Sequence, residues 1–89
     1  MPAEFGLEQN YPNPFNPNTK IEYKLASREY VRLNVYNMLG QEVAALVEGV
    51  KDAGTYNAEW NASGVPSGIY WYRIDAGSFS ETKKMILVK

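Results

Sequence analysis

Chemistry in this sequence has to come from carboxylates, amides and aromatic rings, because it contains neither cysteine nor histidine. That composition removes disulfides, thiolate nucleophiles, cysteine-based zinc or iron–sulfur sites, a Ser-His-Asp triad and imidazole metal ligands. Acid–base catalysis would then need two carboxylates facing each other in a cleft, as in glycoside hydrolysis. Glu22, Glu59, Asp75 and Glu81 all fall on strand phases expected to be solvated, and so short a chain offers no obvious cleft. Neither catalysis nor a cofactor is expected. Asn10, Asn13, Asn16 and Asn18 carry amide oxygens, but the nearest carboxylate in sequence is Glu8, and a calcium site needs several. Tyr30, Tyr36 and Trp71 fall on outward phases, and an exposed aromatic row suits stacking on sugar rings. A carbohydrate-binding or adhesive module is therefore the alternative function, set against cross-strand aromatic pairs that serve only the sheet.

Nine basic and ten acidic residues leave a net charge of -1, which gives no electrostatic footprint for nucleic acid or anionic lipid. The longest aliphatic run, Met85 to Val88, is far shorter than a membrane span. The 89 residues, 45% hydrophobic and 13% aromatic, describe one small domain near the lower size at which a core sustains itself. Residues 1–4 read as a linker remnant or a start added for expression, and 5–89 as the domain. The whole reads as a piece of a longer protein.

Alternating polarity recurs about every ten residues with turn residues between, the pattern of an all-β sandwich. Ile21, Tyr23 and Leu25 share one face of a strand over 20–25. Val31, Leu33 and Val35 share one face of a strand over 30–36. A turn at 37–40, with Gly40 or Asn37 left-handed, leads to residues 41–47. These are good helix formers with Val43 and Leu46 at helical spacing. A strand is expected there, with one helical turn as the alternative. After a turn region at 49–54, Tyr56, Ala58 and Trp60 face the core from a strand over 55–60. Tyr70, Tyr72 and Ile74 do the same over 69–76, and Ser67-Gly68-Ile69-Tyr70 suggests a tyrosine corner. Gly77-Ser78 predicts a type II′ hairpin turn into a last strand over 79–89. With a short strand near 5–8 this makes an immunoglobulin-like antiparallel sandwich of about seven strands.

Residues 10–19 break the pattern, holding three of the five prolines and no charge. Proline fixes φ and removes a backbone donor, so a stiff polyproline-like crossing is expected, anchored by Tyr11 and Phe15 and plugging one end of the sandwich.

Five stretches in order carry a resemblance. They are Tyr11-Pro12-Asn13-Pro14-Phe15-Asn16-Pro17, Val35-Tyr36-Asn37 through Gly40-Gln41-Glu42-Val43, Gly54-Thr55-Tyr56 through Trp60, Ser67-Gly68-Ile69-Tyr70, and Lys83-Lys84-Met85-Ile86-Leu87-Val88-Lys89. Together they resemble the type A C-terminal sorting domain of the type IX secretion system, found in Bacteroidota and related bacteria. The resemblance implies a domain at the end of a secreted cargo protein, read as an export address by the outer-membrane translocon. A sortase-like peptidase then usually removes it, before the domain, and attaches the cargo to surface lipopolysaccharide. It implies a route through periplasm and outer membrane to the surface or medium, with no nucleic acid partner and no membrane insertion. On the same resemblance, Tyr11, Pro12, Asn13, Pro14, Phe15, Gly40, Gly54, Trp60, Gly68 and Tyr70 are structural motif residues. Lys83, Lys84, Met85, Ile86, Leu87, Val88 and Lys89 form the sorting signal. By residue pattern alone that last run is the closing strand, apolar and buried on both faces. As a signal it would be presented by strand addition or C-terminal capture.

Overall fold

The computed structural model describes residues 3–89. Of the residues expected to precede the domain, Met1 and Pro2 lie outside the described residues, and Ala3 and Glu4 are exposed.

Period-two alternation commits each segment to one buried and one solvated face, and seven strands result. They are β1 (Gly6–Leu7), β2 (Asn18–Leu25), β3 (Glu29–Tyr36), β4 (Glu42–Lys51), β5 (Gly54–Asn61), β6 (Gly68–Ala76) and β7 (Phe79–Leu87). One sheet has the order β1-β2-β5 and the other β4-β3-β6-β7, with every ladder antiparallel. This is the immunoglobulin-like sandwich expected from the sequence. The inward rows are those the alternation predicts. Ile21, Tyr23 and Leu25 from one sheet meet Val31, Leu33, Val35, Tyr72, Ile74 and Met85 from the other, all buried. Tyr23 also stacks on Tyr56, its ladder partner on β5, with ring centroids 5.4 Å apart.

β4 explains its own ambiguity. Its ladder with β3 shifts register twice, between Leu33 and Asn34 and between Val35 and Tyr36, so Leu46 and Val43 are the unpaired extra residues of two bulges. Each bulge resets which residues face inward. Val43, Ala44, Leu46 and Val47 consequently all pack against the core from a single strand. The helical spacing of Val43 and Leu46 is therefore the spacing of two bulges. β4 also runs on to Lys51, which shrinks the turn expected over 49–54 to Asp52 and Ala53.

Two turns need glycine. Gly40 has φ +80° beside Asn37, whose Oδ1 accepts the N–H groups of Leu39 and Gln41. Gly77 has φ +60° in a two-residue turn flanked by the Ala76–Phe79 pair. No other residue type there has positive φ, as a type II′ turn requires. A Cβ on Gly77 would lie 2.7 Å from a carboxylate oxygen of Glu29.

Candidate functional site

The stretch expected to carry the signal lies on β7 and just beyond it. β7 is regular: nine pairs, from Gly68–Leu87 to Ala76–Phe79, join it to β6 without a shift. Met85 and Leu87 point into the core and are buried, but Ile86 is only half-buried and Val88 is exposed. The run is thus buried on one face, not two, because nothing among the described residues covers the outer row of Lys84, Ile86 and Val88 completely. Lys84 is exposed on that outer row, opposite Trp71. Lys83 and Glu81 share the inward phase of Met85, at the rim of the sandwich. There they pair with each other at 3.2 Å and stay half-buried. Glu81 is therefore on the core side rather than the solvated phase expected for it. Lys89 donates its Nζ to the Ser63 carbonyl at 3.0 Å and also to the Val65 carbonyl, tying the end of the segment to the β5–β6 loop.

In an antiparallel edge strand, alternate residues turn both backbone groups away from the neighbour. Ala76 and Phe79 close the hairpin, so the odd residues of β7 face β6 and Ser80, Thr82, Lys84, Ile86 and Val88 face outward. The C-terminal half of that edge is occupied by residues 9–15. Gln9 Nε2 donates to the Lys84 carbonyl at 2.7 Å, and the Ile86 N–H donates to Asn13 Oδ1 at 3.0 Å. The Phe15 N–H donates to the Ile86 carbonyl at 3.0 Å and the Val88 N–H to the Phe15 carbonyl at 2.9 Å, in a parallel bridge between Phe15 and Leu87. Residues 9–15 are a strap along the edge of β7.

Three side-chain devices hold the strap, in addition to a backbone bridge between Tyr11 and Lys20. The first is Phe15, which is 2% exposed and packs on Trp60 with centroids 5.8 Å apart. Trp60 in turn meets Tyr70 edge-on at 5.4 Å, so an aromatic row joins the strap to both sheets. The Tyr70 hydroxyl donates to the Pro66 carbonyl at 2.5 Å, which completes the expected tyrosine corner. The second is Tyr72, a core residue of β6. Its hydroxyl donates to the Glu8 carbonyl and accepts the Asn10 N–H, both at 2.8 Å. Burial pushes the Tyr72 hydroxyl up to about 12; the Asn10 hydrogen bond opposes this and the charges of Glu81 and Glu8 add to it. The third is a buried polar knot, in which Asn10 Nδ2 donates to Thr19 Oγ1 at 3.0 Å and both side chains donate to the Pro12 carbonyl.

The stretch corrects two expectations. It is a series of bends rather than a polyproline-like crossing, and the Tyr11–Pro12, Asn13–Pro14 and Asn16–Pro17 bonds are cis. Phe15 plugs the sandwich as expected, but the Tyr11 ring is 79% exposed and is no apolar anchor; that residue is held through its backbone, which exchanges two 2.9 Å hydrogen bonds with Lys20. Pro12, Asn13 and Pro14 are exposed as well. Of the remaining motif residues, Gly40 closes the β3–β4 turn, Gly68 pairs with Leu87, and Gly54 starts β5 far from Trp60 at its other end.

The structure separates the residues of the rival chemistries. Tyr36 and Trp71 pair across β3 and β6, but Tyr30 lies at the far end of β3, bonded to Glu48. The three do not form a row. Exposed Tyr11 borders an open groove of about 670 Å³ with Asn18, Lys20, Glu59 and Asn61. Its one carboxylate, Glu59, lies 3.8 Å from Lys20, and Asp75 is held by Arg73 at 3.1 Å. Glu22 and Glu59 stand on the solvated outer face of the β2–β5 pair, and Asp75 and Glu81 fall on opposite faces of the β6–β7 pair.

Sequence reasoning missed Gln9, Asn10, Thr19 and Tyr72 as parts of the strap. Thr19 was within reach, since it continues the inward phase of Ile21, Tyr23 and Leu25 and pairs with Trp60. The other three depend on contacts with residues more than sixty positions away, which no local pattern records.

No curated protein matches the chain. The family described as "Secretion system C-terminal sorting domain" matches residues 9–89, from the first residue of the strap through β7 to Lys89. A strapped immunoglobulin-like sandwich whose match spans nearly its whole length belongs to that family, and the chain is a C-terminal sorting domain of type IX secretion.

Proposed function

We propose that residues 5–89 act as one unit, a non-catalytic address that sends an upstream cargo protein through the type IX system, and that the export machinery reads it at Lys83–Lys89. Membership of the family ties the domain to that secretion system, to a cargo and to export across the outer membrane. The finer steps are part of this reading. The cargo crosses from the periplasm, a sortase-like peptidase cuts before the domain, and the cargo stays on the cell surface or is released.

One observation supports the choice of segment. Met85 and Leu87 are locked in the core while Lys84, Val88 and Lys89 stand exposed beside them, so the segment is displayed on a fixed frame. Removing Lys83–Lys89 would also remove Met85 and Leu87, and a failed export could then mean only a failed fold. The informative variant is Lys84→Glu with Val88→Ser and Lys89→Glu, which spares the core. Fused to a foreign cargo in a type IX-competent host, it is expected to lose surface delivery and keep a cooperative melt. Delivery equal to that of the unmodified fusion would overturn the assignment.

A further inference from the structure

The strap lies where a β-strand of another protein would lie, and it fills the place only in part. An edge strand presents a row of unpaired N–H and C=O groups, a template for strand addition. Along β7 that row is Ser80, Thr82, Lys84, Ile86 and Val88. Its second half is taken by the strap, but two of the four bonds there come from the side chains of Gln9 and Asn13 rather than from backbone. Its first half has no hydrogen-bond partner, although β1 runs beside it and Phe5 stacks on Phe79 at its start with ring centroids 5.4 Å apart. Ser80 and Thr82 are exposed, and neither outward backbone group has a hydrogen-bond partner among the described residues. The strand itself carries no bulge, inward charge or proline in the paired stretch to discourage pairing, apart from the rim pair Glu81–Lys83.

We propose that the outer edge of β7 is a strand-addition site for an extended polypeptide segment of the export machinery. The incoming segment pairs first with Ser80 and Thr82 and then displaces the strap from Lys84, Ile86 and Val88. Because it would restore the backbone bonds that the strap gives up, the exchange is nearly balanced in hydrogen bonds, and Phe15 is the latch that must leave its pocket. Backbone pairing then supplies the binding, and Lys84, Ile86 and Val88 on the outer row supply the selectivity. The inference rests on the reading of Lys83–Lys89 as the signal and adds how that segment is reached.

Two variants of the cargo fusion test it. Thr82→Pro removes one outward N–H from the open edge and touches no β6–β7 bond, since proline is tolerated where an edge strand's N–H faces solvent. The expected result is a fall in surface delivery of at least tenfold with the melting temperature little changed. Asn13→Cys with Ile86→Cys closes the strap covalently, at a point where the parent side chain and backbone are 3.0 Å apart, in a chain with no other cysteine. With the disulfide confirmed by mass, the locked fusion is expected to accumulate in the periplasm and to be delivered at least tenfold less than the same double variant kept reduced, a comparison that holds the substitution at Ile86 constant. Export of the locked fusion at the level of its reduced form would overturn strap displacement, and undiminished export of a folded Thr82→Pro fusion would overturn strand addition along the edge of β7. If Thr82→Pro fails to fold, the lock alone decides. Failure of the unmodified fusion would instead count against sorting by this domain, and full delivery of the Lys84→Glu, Val88→Ser, Lys89→Glu variant against the reading of Lys83–Lys89, so these failures are distinguishable from a failure of the strand-addition proposal.

Discussion

β4 and β7 are the two edges of one sheet, and they are guarded in opposite ways. β4 protects itself: two bulges break its ladder with β3, and Glu42, Glu48 and Lys51 stand along it. Bulges and charges are permanent obstacles to edge pairing, written into the strand. β7 keeps an unbroken register, and its guard is a separate segment attached through four hydrogen bonds and one buried ring. A covering segment can be lifted, whereas a bulge cannot. The sheet thus has one edge closed for good and one edge that is closed conditionally, and the family's match runs from the strap to the end of the strapped strand.

The contrast breaks most severely at Phe15. Phe15→Ala removes the latch from between Trp60 and the core and is expected to cost about 3–5 kcal/mol. Amide exchange followed by NMR should show Ile86 and Val88 accelerating far more than the β3-bonded amides of β4. Uniform acceleration along both edges would mean that the strap does not guard β7 separately.

Tyr72→Phe is the next largest. It leaves the Asn10 N–H and the Glu8 carbonyl without their partner, for an expected loss of about 1–3 kcal/mol in a denaturant titration. The same hydroxyl predicts a pH dependence. Its folded value, about 12, lies above the ordinary 10, so between those values the unfolded chain loses the proton first. The stability it contributes is intact below pH 10 and is lost as pH rises from 10 towards 12. Tyr23, raised by its burial and by Tyr56, moves in the same direction. Tyr72→Phe should flatten this alkaline fall relative to the unmodified protein.

Asn13→Ala is the smallest and the most selective. Its one bond to the Ile86 N–H is exposed, so the expected cost is about 1 kcal/mol or less. Faster exchange should be confined to Ile86, and a loss as large as that of Phe15→Ala would contradict the picture of a ring-latched strap.

The sandwich was legible because each of β2, β3, β5 and β6 keeps strict alternation, and period two admits one reading. β4 was ambiguous because its bulges impose a spacing of three on Val43 and Leu46, the same spacing that a helix gives. The plug was half legible. Proline and asparagine content announced an irregular segment, yet nothing in Tyr11-Pro12-Asn13-Pro14-Phe15 says which ring turns inward, since bends carry no phase. The strap's grip on β7 was not legible at all, because it joins Gln9, Asn13 and Phe15 to Lys84, Ile86 and Val88 across the length of the chain. Charge and polarity patterns describe faces, and the strap acts through an edge.

The most direct measurement is surface delivery of an inert, folded cargo fused ahead of this chain, compared between a type IX-competent host and the same host lacking the translocon. The account predicts cargo on the surface or in the medium of the first host only. A folded fusion held in the periplasm of both would contradict it.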